Sequence, residues 1–153
     1  MNFFTLELLI ALITSATGSV GFAIIYRVGK RHLPSAAIGG ALTYLVYYTV
    51  AFFNLGVFAA ALVSSAFSAL FSEIFAKIRK APVSIFLLPC SIPIVPGSAL
   101  YYTMANFISR DFAAASLYLN QTLAIGLGIA AGIVIVPVGW HLFFGALEHF
   151  RKK

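Results

Sequence analysis

"SIFLLPCSIPIVPGSALYYTM", residues 84–104, is as apolar as a membrane helix, yet it carries Pro89, Pro93 and Pro96, the last followed by Gly97. Each proline removes a backbone donor and disfavours helix at the residue before it. Pro89 deprives the carbonyl of Ile85 of its helical donor, Pro93 that of Pro89, and Pro96 that of Ile92. Leu88, Ile92 and Val95 are pushed towards extended backbone. No smooth helix is therefore expected through Leu88–Gly97, and Ser98 is expected to cap a new helix, "ALYYTMANFI". Irregular backbone at membrane depth persists only where protein buries it or a wet cavity faces it.

The rest of the chain puts this stretch in a bilayer. Of its 153 residues 61% are hydrophobic and only 9% charged, too few charges to clothe a water-soluble domain. The net charge of +6 sits in short clusters between apolar runs, as topology determinants do, and this argues against nucleic acid as a partner. Cys90 is the single cysteine, so no intramolecular disulfide forms. The opening "MNFFTLELLIALITSATGSVGFAIIY" has no basic n-region and carries Glu7, so it reads as a retained span rather than a signal peptide.

A helix needs roughly 20 apolar residues to cross the hydrocarbon core. On that measure the sequence predicts an all-α integral membrane protein in one transmembrane domain, 1–153. It has about five transmembrane helices, near residues 3–26, 36–53, 56–76, 82–108 and 119–144, the fourth broken by prolines. The apolar run from Phe112 to Phe150 is too long for one straight span, so Phe112–Leu119 or the part after Pro137 is expected to lie along the interface. Arg27, Lys30 and Arg31 follow the first span, Lys77, Arg79 and Lys80 the third, and Arg151, Lys152 and Lys153 the fifth. All fall on one side if the N-terminus is outside and the C-terminus cytoplasmic.

Small residues recur at four-residue spacing: Ala11, Ser15, Ser19 and Ala23; Ala60, Ser64, Ser68 and Ser72; Gly128 and Gly132. Such stripes let helices approach closely in lipid. They serve either packing within the chain or, more specifically, an interface with another protein. Glu73 and Lys77, four residues apart at a helix end, read as a solvated pair. His141 reads as interfacial, and Glu148 and His149, beside the basic tail, read as facing water. No metal-ligand spacing, nucleophile–base pattern or phosphate-binding loop is present in the sequence. The reading thus includes no catalytic residue, metal or cofactor, and no enzyme activity.

What remains is the broken span. It is either a structural kink or a functional break, with free carbonyls before it and free N–H groups after it; in many transporters such ends hold the solute. Three closely spaced prolines and a glycine favour the break. The candidate substrate-binding residues are Pro89, Pro93, Pro96, Gly97, Ser98, Tyr101, Tyr102 and Asn106, with Asn120 at the start of the fifth span. No charged side chain lies between Lys80 and Arg110, so recognition there rests on backbone, hydroxyls and amides.

The segment "APVSIFLLPCSIPIVPGSALYYTM" resembles the signature of the small integral-membrane half of bacterial threonine/serine exporters, through Pro82, Phe86, Pro89, Pro93, Pro96, Gly97, Tyr101 and Tyr102. "FAIIYRVGKRHLPSAAIGGALTYLVYY" is similar to the family's first loop and second span. One departure is Cys90, where the family usually has glycine. The resemblance implies a subunit of a proton-motive-force-coupled exporter in the bacterial inner membrane, working with a larger membrane subunit. It implies small hydroxy-amino acids as solutes, or dicarboxylates such as succinate in some pairs. The competing reading is a non-transporting scaffold that stabilises a partner; a scaffold has no need of a broken span.

Overall fold

The computed structural model describes Leu6–Arg151, with side chains as far as Gly139. Phe3–Thr5 of the first expected span and Lys152 and Lys153 of the last basic cluster lie outside the described residues, as do the side chains of His141, Glu148 and His149. Helices α1 (Leu6–Ile25), α2 (Leu33–Phe52) and α3 (Val57–Arg79) each run long enough to cross a bilayer. Then come α4 (Ser84–Ser91), a 3₁₀ turn at Ile92–Ile94, α5 (Gly97–Ile108) and α6 (Phe112–Arg151). Among the described residues there is no strand, and the protein is an all-α integral membrane protein.

The helix ends follow from local chemistry. Pro34 sits in the first turn of α2, where its missing N–H costs nothing, so α2 starts at Leu33 rather than at the expected Ala36. Arg27, Lys80 and Arg110 adopt left-handed backbone after α1, α3 and α5, with φ of 54°, 50° and 61°. The residue after each donates its N–H back to a carbonyl five positions earlier: Val28 to Ala23 (2.9 Å), Ala81 to Ala76 (3.0 Å) and Asp111 to Asn106 (2.9 Å). Each closes its helix as a Schellman motif does, with a cation where glycine is usual. A cation there also faces the negative end of the helix dipole.

Helix directions follow from close contacts. A Cβ at Gly40 would meet Ser19 and lie 3.3 Å from the Ser15 carbonyl, so α2 packs closely on α1, and the short connection after Ile25 makes the two run antiparallel. A Cβ at Gly128 would lie 2.7 Å from the Phe58 carbonyl and 2.9 Å from Ala61, while one at Gly132 would meet Ser65 and Leu62 and lie 2.8 Å from Ala66 N. Both numberings rise together, so α6 runs parallel to α3. The chain between them must cross back once. The segment α4–turn–α5, bent by 53°, makes that crossing as a broken span, giving five spans. The basic turn after α1 and the basic end of α3 then share one face, and the turns at Asn54 and Arg110 share the other.

The expected small-residue stripes are largely spent inside the chain, with Ala11 and Ser15 half-buried. Ser19, Ala23, Ala60, Ser64, Ser68 and Ser72 are buried, and Gly128 and Gly132 seat α6 on α3. The α3 stripe is therefore intramolecular packing and leaves no surface for another protein.

The sequence does not anticipate α6. It is one helix of 40 residues that passes through Pro137. Gly128 already lies near the start of α3, so the turns of α6 before about residue 124 run past α3, by roughly three turns. Among the described residues α5 packs on them: the rings of Tyr102 and Tyr118 lie 5.3 Å apart, and those of Phe107 and Phe112 5.6 Å. The turns of α6 before about residue 124 thus form an antiparallel arm with α5.

Candidate functional site: a broken span against an unpaired hydroxyl seam

The break is shorter than expected, and differently built. Pro89 lies inside α4, whose buried Phe86, Pro89 and Cys90 hold that helix against the bundle. Burial of these side chains overrides the bias against helix at Leu88. Ile92 is also helical (φ −52°, ψ −44°), because Pro93 occupies the first positions of the 3₁₀ turn, where no N–H is needed. Only Val95 is extended as expected (φ −63°, ψ 131°). Pro96 (φ −77°, ψ 54°) forms an inverse γ-turn in which the Gly97 N–H donates to the Val95 carbonyl at 2.8 Å. The irregular backbone is thus confined to the 3₁₀ turn and the residues leading into Gly97.

This corrects two expectations. Ser98 is not the cap: α5 starts at Gly97, its N-cap position is Pro96, and no side chain caps it. Gly97 N–H is already bonded, while among the described residues the Ser98 and Ala99 N–H groups have no backbone acceptor, as first-turn groups do not. Gly97 and Ser98 are exposed, and a Cβ at Gly97 would meet nothing within 4 Å. The fold itself therefore does not require glycine there.

The predicted residues divide into groups. Pro89 is buried, and Pro93 and Pro96 are half-buried at the break. Tyr101 and Tyr102, 67% and 48% exposed, stand on α5 away from the core, their rings 5.4 Å apart. Asn106 donates its amide to the Tyr102 carbonyl (2.8 Å), and Asn120 is exposed on the α6 arm. The structure does not gather all nine into one pocket: the prolines face the bundle, and the tyrosines and asparagines belong to the arm.

The 3₁₀ turn itself touches α1, α2 and α3. There the structure reveals what the sequence reading missed. Ser19, Thr43 and Ser68 are fully buried, and among the described residues their hydroxyls have no hydrogen-bond partner. Equally enclosed neighbours behave differently. Ser64 donates to the Ala60 carbonyl (2.7 Å), Ser72 to Ser68 (2.7 Å), Ser65 to Leu62 (3.0 Å) and Thr103 to Ala99 (2.8 Å). A buried hydroxyl left unpaired costs about 1–3 kcal/mol.

The three unpaired hydroxyls come from three helices at nearly one depth. Gly39 lies against Phe71 and Gly40 against Ser19, so one turn further along α2 brings Thr43 level with Ser68. Thr43 and Ser68 stand midway along α2 and α3, hence near the middle of the bilayer. Thr43 carried no sequence signal, because its importance depends on register between helices.

Cys90 explains itself. It occupies ordinary helix, and its sulfur fills the space over Gly39, so the family's glycine is not needed for backbone reasons.

A polytopic all-α membrane protein with a discontinuous span packed on polar groups at mid-depth belongs to the architectural class of solute transporters. The threonine/serine exporter (ThrE) family matches residues 11–138, and the chain belongs to that family of exporter-type transporters. No curated protein and no solved structure matches the chain.

Proposed function

We propose that the chain is one subunit of a secondary-active exporter of small polar amino acids or carboxylic acids, of threonine or serine type and with succinate as a possible dicarboxylate cargo. It acts with a larger membrane subunit in the bacterial inner membrane, N-terminus outside and C-terminus cytoplasmic. The observation that carries the reading is the start of α5. Exposed Gly97 and Ser98, with the unbonded Ser98 and Ala99 N–H groups, stand where the helix dipole favours a carboxylate. Open space over Gly97 lets a solute approach the backbone. Among the described residues a Cβ at Gly97 would meet nothing within 4 Å, and this open side supports the reading in which a larger subunit completes the site.

The test is solute efflux from cells expressing this chain with and without the larger protein, normalised to membrane protein level. Export is expected only with both. Gly97→Leu is expected to abolish it while the chain inserts and melts normally; Ser84→Ala, at the exposed start of α4, is expected to do little. Wild-type efflux by Gly97→Leu would make the segment a structural kink.

A further inference from the structure

We propose that the Ser19, Thr43 and Ser68 hydroxyls form a solute-recognition seam that reads a side-chain hydroxyl and separates threonine from its isostere valine. The inference rests on the exporter reading and adds to it a second subsite, deeper than the start of α5.

Two independent observations support it. First, these hydroxyls keep their hydrogen-bonding capacity free, whereas Ser64, Ser65, Ser72 and Thr103 in the same protein spend theirs on a carbonyl one turn back. Second, the element packed on their three helices is irregular and has few backbone ties. The Ile92–Ile94 turn touches α1, α2 and α3, and the backbone bonds that follow it are all local: Val95 N–H to Ile92, Gly97 N–H to Val95 and Leu100 N–H to Pro96. Pro93 and Pro96 have no N–H to tie it further. In the structure the turn packs on the three helices that carry these hydroxyls. When it withdraws, three hydroxyls from three helices face the space it leaves. Each can donate or accept, so together they satisfy a solute hydroxyl from either side. A methyl group in its place leaves them unpaired, the asymmetry by which a polar site rejects an apolar isostere.

A hydroxyl kept for structure would lower the melting temperature when removed, whereas an unpaired one would not. Removing an unpaired buried hydroxyl while keeping its shape leaves the fold as stable or more so. Recognition and stability therefore move apart in Thr43→Val, and a merely structural residue would not separate them.

The experiment uses the chain with its larger partner in proteoliposomes. Uptake of labelled L-threonine is competed with unlabelled L-threonine, L-valine or succinate, and thermal melting of the purified chain is measured in parallel. The wild type is expected to prefer threonine to valine at least tenfold. Thr43→Val and Ser68→Ala are each expected to lower that preference about tenfold with a melting temperature at or above wild type, and Thr43→Ser to restore it. Equal competition by valine in the wild type would overturn the inference, as would an intact preference in both Thr43→Val and Ser68→Ala. Transport of succinate but not threonine would also overturn it while leaving the exporter reading in place. Transport of none of the three solutes would overturn both.

Discussion

Gly39 lies directly against Cys90: a Cβ at position 39 would overlap the Cys90 sulfur and come within 2.6 Å of Phe71 Cε1. This single contact locks α2, α3 and the first half of the broken span together. Gly39→Ala is therefore expected to destabilise the purified protein by about 1–3 kcal/mol, the usual cost of overpacking. Cys90→Gly is expected to recover part of that loss in the double variant, giving a coupling that thermal melting of the four-member cycle measures. Simple additivity would mean the two residues do not share the space.

Gly132 and Gly126 make a matched pair on α6. The first is pressed on Leu62, Ser65 and Ala66, and the second has nothing within 4 Å. Gly132→Val is expected to separate α6 from α3 and lower the melting temperature sharply. Gly126→Ala is expected to leave it unchanged or raise it slightly, by the ~1 kcal/mol helix preference of alanine over glycine. Equal effects would contradict the parallel α3–α6 seam.

Left-handed backbone at Arg110 costs a non-glycine residue roughly 1–2 kcal/mol. Arg110→Gly relieves that cost and gives up a favourable dipole contact worth about 0.3–1 kcal/mol. A net gain of a few tenths to about 1 kcal/mol in thermal or denaturant unfolding is expected. A loss of more than that would show that the guanidinium has a larger role.

The five-span path is testable with single thiols, since Cys90 is buried and gives a low labelling background. Lys30→Cys and Lys80→Cys are expected to react with an impermeant maleimide from one side, the cytoplasm in the proposed orientation. Asn54→Cys and Ser109→Cys are expected to react from the other. Labelling of Ser109→Cys on the Lys80 side would make α4–α5 a re-entrant loop.

Much of the architecture was legible because membrane spans are punctuated by the residues that end them. Arg27, Asn54, Lys80 and Arg110 stand where the helices close, and the four-residue stripes forecast which faces meet. Errors arose where a local preference met packing. Leu88 and Ile92 precede prolines yet stay helical, since burying Phe86, Pro89 and Cys90 outweighs the bias. Ser98 looked like a cap, but the γ-turn at Pro96 starts the helix two residues earlier, at Gly97. Thr43 was invisible because its significance is three-dimensional: a threonine in an apolar helix ordinarily bonds to its own backbone, as Thr49 does to Leu45 at 2.7 Å.

The α5–α6 arm has a consequence in bilayer mechanics. α1 and α2, 20 residues each, match a ~30 Å hydrocarbon layer, whereas the 40-residue α6 is roughly twice that length. The protein therefore presents a stepped hydrophobic outline, and the lipid beside the step must thicken or tilt at a cost of fractions of a kcal/mol per ångström. Two tall faces brought together share one deformation instead of two. Any association along the arm would therefore depend on membrane thickness, strengthening in thin bilayers and relaxing in thick ones.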